Sequence, residues 1–368
     1  MSGSFIRPHL KNVFGKSVGT RYLVIESDDW GSIRMPSLDA CKRLQAAGVN
    51  LGRGEAGRYN RTDTLASAED LEALFDTLAR FEDRKGNPPV LTAVSLVANP
   101  DFDKIREDRF SRYHYEPFTD TLRRYRREDA LPLWKQGLEE RLFVPEFHGR
   151  EHLNVPVWMR MLQEGDIATR MGFDWGCWGF LVNTPYQISY RASFDLERKE
   201  DLASHREALE SGLRLFAAIH GYPASYLVPP NGPFPRALEE TSADRGIKYI
   251  GVSKVQVEPL GLGKQRRRLH WLGQKNRFNQ RYLTRNAFFE PNSPGTDWVQ
   301  SCLNEIDHAF LWRKPAVISS HRANYIGSLD EENRRNSLEK LSNLLAAVLK
   351  KWPDVEFVTS TELGNRLT

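Results

Sequence analysis

Cysteine is scarce and scattered. Cys41, Cys177 and Cys302 are the only three in 368 residues, and no Cys-x-x-Cys pair occurs, which excludes a disulfide framework and a thiolate zinc site. Long apolar runs are missing as well. Residues 90–98 form one of the longest, far short of the ~20 apolar residues that span a bilayer. The opening MSGSFIRPHLKNVFGK holds no apolar h-region, so no export signal is expected and the cytoplasm is the expected compartment. There is no internal repeat and no low-complexity linker. Charge of one sign does not dominate either: 52 Lys and Arg against 48 Asp and Glu leave +4. That mild excess leans toward anionic partners without requiring one. With 27% charged and 40% hydrophobic residues, the chain excludes the disordered classes and can bury a sizeable core.

What is present is an alternation of short apolar runs and amphipathic stretches. Tyr22-Leu23-Val24-Ile25 reads as a buried strand that runs into Glu26-Ser27-Asp28-Asp29-Trp30-Gly31. Further strands are predicted at 90–97, 142–147, 225–228, 249–252, 316–320 and 355–358. Helices are predicted at 37–47, after the Ser67–Asp70 capping box, at 130–140, 155–164 and 199–220, and after Ser328-Leu329-Asp330-Glu331. Strand–helix repetition implies a parallel sheet with helices outside it. The expected fold is one distorted (β/α) barrel domain over 1–368, seven-stranded, with long loop insertions. The largest, at about 101–128, interleaves Arg109, Arg112, Arg123, Arg124, Arg126 and Arg127 with tyrosines and phenylalanines. Arg123, Arg124, Arg126 and Arg127 are candidate contacts for an anionic substrate, with a solvated surface as the alternative. A second basic-aromatic stretch, from Arg266 to Arg285, reads as a solvated edge, and nucleic acid ranks last among partners.

Chemistry gathers at predicted strand ends. Asp28 and Asp29 can face one pocket only if the backbone leaves strand geometry there, because successive strand side chains point to opposite sides. His148-Gly149-Arg150-Glu151-His152 follows another strand, and imidazoles at that spacing meet if the segment turns helically. Two histidines and a carboxylate form a metal triad with positions left open for water. His321 ends the strand Val317-Ile318-Ser319-Ser320, where an imidazole can serve as general acid or as a packed core group. Trp30, Trp175 and Trp178 are either sugar platforms or core aromatics.

In combination, the order Asp-Asp, H-x-x-x-H, Pro-Pro-x-Gly and a late strand-end His resembles the polysaccharide deacetylase family, the NodB-homology or carbohydrate esterase 4 group. The resemblance implies that Asp28 is the catalytic base, that Asp29, His148 and His152 hold the metal, and that His321 is the general acid. Pro229-Pro230-Asn231-Gly232 matches the family's Pro-Pro-Tyr-Gly segment. Gly149 departs from the family's Ser or Thr. Val228 stands where an arginine precedes Pro-Pro, and Asn231 where an aromatic residue sits. The family's later Asp-Trp motif has no counterpart, since Asp174-Trp175 comes in the wrong chain order.

The function this implies is a metal-dependent hydrolase that removes an acetyl group from an amino sugar or other acetylated sugar. Its cofactor is expected to be a divalent metal, zinc first, with cobalt or nickel as alternatives. Its partner is expected to be a carbohydrate in a glycan precursor or glycoconjugate, anionic or carrier-linked. Trp30, Asn231 and Arg322 are the expected substrate contacts. The rival readings are a metal-independent C–N hydrolase of the same fold and a carbohydrate-binding protein without turnover.

Overall fold

The computed structural model describes residues 11–367; residues 1–10, on which most of the export-signal expectation falls, lie outside them. Thirteen strands occur among the described residues: β1 (Tyr22–Trp30), β2 (Leu91–Leu96), β3 (Ala98–Pro100), β4 (Tyr115–Pro117), β5 (Phe143–Gly149), β6 (Tyr226–Leu227), β7 (Tyr249–Val252), β8 (Val255–Gly261), β9 (Lys264–Leu269), β10 (Arg281–Thr284), β11 (Ala287–Phe288), β12 (Ala316–His321) and β13 (Glu356–Phe357). The main sheet is parallel, in the order β10-β7-β6-β5-β2-β1-β12-β11, and β13 also pairs with β1.

The two ends of that order, β10 and β11, are separated in the chain only by Arg285 and Asn286. Three Cα steps span at most about 10 Å, so the sheet must curl until its edges meet. Residues 281–288 form one stave split between two partners, with β10 on β7 and β11 on β12. Counted once, this stave joins β12, β1, β2, β5, β6 and β7 as the seventh of a distorted barrel, with β13 as an extra pairing.

Strand alternation sorts the core. Leu23, Ile25, Leu91, Ala93 and Ile318 pack with Leu71, Leu74 and Leu341 of the surrounding helices. Val24, Val94, Tyr226, Leu283 and Val317 form a separate cluster inside the barrel. Both faces of the strands are buried, which explains their continuous apolar runs. It follows that Val24, Glu26 and Asp28 share the inner face of β1.

Several helix signals hold in detail. Ser37 caps Leu38–Ala46, and Ser67 and Asp70 form a reciprocal capping box on Ala68–Leu78. The cap of Glu331–Lys351 is Asp330, whose side chain accepts from Asn333 N. Ser328 instead donates to Asp70 at 3.1 Å. The helix Gly54–Thr62 was not foreseen, because its glycines argue for a loop. The antiparallel β8–β9 hairpin was missed for a different reason: Lys264–Leu269 is nearly all exposed and carries no apolar alternation.

The insertion folds as the β3–β4 hairpin with two short helices. Arg123, Arg124, Arg126 and Arg127 do not line the cavity at the strand ends, which goes against the substrate-contact reading. Arg124 forks onto Glu116 at 2.7–3.1 Å and also reaches Asp103, while Arg123 pairs with Asp120. No helix among the described residues is long and apolar enough to cross a membrane.

Candidate metal and proton-transfer site

The C-terminal ends of β1, β5, β6, β10 and β12 converge on a cavity of about 420 Å³ whose lining includes Asp28, Asp29, His148, His152, Asn231, Arg285 and His321. This is the strand edge on which barrel folds present reactive groups. Asp28 reaches it by ordinary alternation. Asp29 reaches it because the backbone leaves strand geometry: its φ is +77°, and the β1–β2 register shifts between Ser27 and Trp30. A left-handed non-glycine residue costs on the order of 1–3 kcal/mol and persists where its surroundings over-determine it. Here Gly31 supplies part of the reason. A Cβ at Gly31 would lie 2.2 Å from Leu96 O, so only glycine lets the turn close against β2.

His148 is the penultimate residue of β5, but His152 follows through a bend and not a helical turn, which corrects the expected local geometry. Gly149 has φ +155°, a conformation that explains glycine in place of Ser or Thr. His148 Nδ1 donates to Val228 O at 2.7 Å, which in the neutral tautomer leaves Nε2 unprotonated with a lone pair available to a ligand. Asp29 Oδ1 lies 3.4 Å from His148 Nε2 and 3.2 Å from His152 Nε2, yet this buried oxygen takes part in no aligned hydrogen bond. Burial pushes the His152 imidazole below its ordinary pKa, toward the neutral form a metal requires. Ligand atoms from Asp29, His148 and His152 all lie within 4.8 Å of one another. A buried carboxylate and two imidazoles with an orphaned oxygen at their centre fit a divalent metal of the zinc type. Trp178 stacks beside His152 at 6.0 Å and donates to Ile33 O at 3.0 Å, so it is a core aromatic that backs a ligand.

Across the cavity the groups are saturated. Arg285 forks onto Asp28, with Nη1 and Nη2 each 2.6 Å from a carboxylate oxygen, and its Nε reaches Glu26. Burial alone would raise the Asp28 carboxyl, but the Arg285 guanidinium outweighs it and holds the pKa below the ordinary value. The cation paired with Asp28 therefore comes from Arg285, while Val228 offers this site its backbone oxygen, which accepts from His148. His321 Nδ1 meets Glu290 Oε1 at 2.5 Å, and Glu290 is held in turn by Arg58 at 3.1 Å and Asn324 at 3.0 Å. Burial would depress the imidazole, but Glu290 reverses that and lifts His321 to about 9.

Two expected substrate contacts are misplaced. Trp30 is 0% exposed, packs edge-on against Phe143 and donates to Ser27 Oγ, because the turn after β1 tucks it back into the core. Arg322, also 0% exposed, donates to Asp63 at 2.6 and 3.0 Å and to Ser32 O. Its role is to brace the loop after β1. Asn231 does line the cavity, at the turn after β6. Reading by motif missed Arg34, Tyr59, Arg191 and Glu290, and assigned Arg285 to a solvated edge. For Arg285 and Glu290 a signal was present: each directly follows a short apolar segment, Tyr282–Thr284 and Ala287–Phe289.

No family model and no curated protein matches the sequence. Among solved structures, a 4-alpha-glucanotransferase from Thermococcus litoralis superposes with a TM-score of 0.46 at 9% identity over 95% of this chain, which spans 41% of that enzyme. A protein assigned as a polysaccharide deacetylase from Mycobacterium smegmatis gives 0.46 at 11% identity, covering 96% of this chain and 92% of the other. The allantoinase PuuE gives 0.42 at 13%, covering 96% and 93%. At these identities no shared activity follows.

Proposed function

We propose that the chain is a metal-dependent deacylase that removes an acetyl group from an acetylated sugar, with zinc as the leading metal. One observation carries the reading: a buried Asp–His–His set, a paired carboxylate and a paired imidazole line the same cavity. A bound divalent ion would supply Lewis acidity toward the acyl oxygen and toward water. Asp29, His148 and His152 would hold it, and the hydrogen bond to Val228 O fixes the His148 ring for that task.

The proton chemistry falls to the opposite wall. Asp28 is ionised at neutral pH and keeps lone pairs beyond those used by Arg285, so it can accept a proton from an attacking water. His321, held protonated by Glu290, can deliver a proton to the departing nitrogen or oxygen. Asn231 and Tyr59 complete the wall against which a sugar would rest. The test is acetate release from acetylated sugars by purified protein, before and after chelation and readdition of zinc or cobalt. Activity indifferent to chelation would favour a metal-independent hydrolase.

A second reading, a sugar-binding protein without turnover, is favoured by the bidentate grip of Arg285 on Asp28, which weakens that carboxylate as a base. Sugar binding with full metal occupancy and no acetate release would decide for it.

A further inference from the structure

The cavity is lined by more cations than its carboxylates can answer. Lys11, Arg34, Arg191, Lys254 and Arg285 line it with Asp28 and Asp29. Most of the basic side chains have identifiable partners. Arg285 is paired with Asp28 and Glu26, and Lys11 with Glu305 at 2.6 Å. Arg34 lies 3.5 Å from Asp29 and 3.6 Å from Asp63.

Arg191 differs. Its Nε is buried without a hydrogen-bond partner, and no carboxylate pairs with its guanidinium among the described residues. Nor is it a loosely held surface arginine. Tyr190 and Ala192, on either side, are 1% and 2% exposed. The backbone there is fixed from the metal-side loop: Asn154 N donates to Tyr190 O at 2.7 Å, and Asn154 Nδ2 to Ala192 O at 2.8 Å. Ser193 Oγ donates to Glu151 O at 3.0 Å, and Tyr190 OH meets Thr169 Oγ1 at 2.7 Å. Asn154 lies two residues beyond His152, so the arginine is anchored to the same segment that carries the candidate metal ligands. A half-buried guanidinium held rigidly in a site wall, with Asp29 acting on it only through space and no carboxylate in ion-pair contact, is a costly arrangement unless something anionic completes it.

We propose that Arg191 recognises a negative charge on the substrate, so that the acetylated sugar this site takes is acidic, bearing a carboxylate or a phosphate. The inference rests on the deacylase reading for the word acetylated, but the recognition of an anion stands on Arg191 alone. Arginine suits the task because its planar fork matches both oxyanions.

The test is calorimetric binding of three probes to the purified full chain: N-acetylglucosamine, its C6 uronic acid and its 1-phosphate. The wild type is expected to bind at least one acidic probe about 10–100-fold more tightly than the neutral sugar, the range for a charge-assisted contact. R191Q should collapse that ratio to near one, and R191K should retain part of it. The two acidic probes separate carboxylate from phosphate recognition. Equal affinity for all three in the wild type, or an acidic preference that survives R191Q with the fold intact by circular dichroism, would overturn the proposal. So would an equal loss of neutral and acidic binding in R191Q, which would make Arg191 a general wall residue. Acetate release is measured on the same samples. If none occurs while the R191Q effect on binding holds, the deacylase reading fails and anion recognition stands.

Discussion

The two sides of the cavity are built on opposite terms. On the β1–β5 side, Asp29 Oδ1 and His152 Nδ1 are buried with no hydrogen-bond partner, although three potential ligands crowd together. Toward β10 and β12 nearly every charge is answered: Asp28, which reaches there from the end of β1, by Arg285, His321 by Glu290, and Glu290 by Arg58 and Asn324. Buried polar atoms are ordinarily paired, so an orphan at a cluster of donors marks a place made for a ligand. A saturated pair sets a protonation state instead. In the proposed reading, binding falls to one side and proton transfer to the other, and each can be broken separately.

The largest effect is expected on the unsaturated side. Changing Asp29, His148 or His152 to Ala should strip bound metal, measured by elemental analysis, and reduce acetate release to background. Undiminished metal in all three variants would remove the site assignment. Next comes Asp28→Asn, which keeps the shape but cannot take a proton. Metal should remain while turnover falls by about 10²–10⁴-fold. Arg285→Ala should act on folding as well, because it leaves the Asp28 and Glu26 carboxylates buried without their cation. A loss of about 3–5 kcal/mol in denaturant unfolding is expected, and Arg285→Lys should restore only part, having no fork.

The His321–Glu290 pair makes a pH prediction. His321 titrates at about 9 in the folded chain, above its ordinary value of 6.5, with burial opposing the shift and Glu290 driving it. As a general acid it must be protonated, so turnover should hold through neutrality and fall as pH rises through about 9. Glu290→Gln should move that fall to lower pH. The same shift makes the pair stabilising below about 6.5, with the contribution lost as pH rises through about 9. A pH–rate profile that Glu290→Gln leaves in place would detach His321 from the chemistry.

Legibility followed the same division. The ligand side, and Asp28 beside it, could be read because these residues come as local patterns, Asp28-Asp29 and His148-x-x-x-His152, placed after strands whose burial on both faces makes them plain. Even the need for Asp29 to leave strand geometry followed from alternation alone. The proton side is assembled from single residues on different strands, and Arg285 became visible only once the two sheet edges met at residues 285–286. Trp30 and Arg322 went astray because proximity to a motif says nothing about which way a side chain turns. The barrel was legible, down to the strand expected at 355–358 that contains β13, except at the 281–288 stave, where a basic stretch hid β10 and pairing is brief in β11, and at β9, where charge masks a strand.

The smallest effect is expected from arginines that look most like a substrate site in sequence. Arg123 and Arg126 belong to the Arg/Tyr-rich insertion, and both are exposed. Arg123 is paired with Asp120 on the surface, and neither residue lines the cavity. Exposed pairs contribute roughly 0–1 kcal/mol and are screened by salt. The double variant R123Q/R126Q should therefore unfold within about 1 kcal/mol of the wild type and leave KM and its ionic-strength dependence unchanged. Arg124 is left out of the variant because its loss would strand Glu116, which is only 8% exposed, and would confuse folding with binding. If R123Q/R126Q raised KM and flattened its salt dependence, the insertion would have to reach the bound substrate. The unpaired charge of Arg191 could then no longer be set apart as the anion contact.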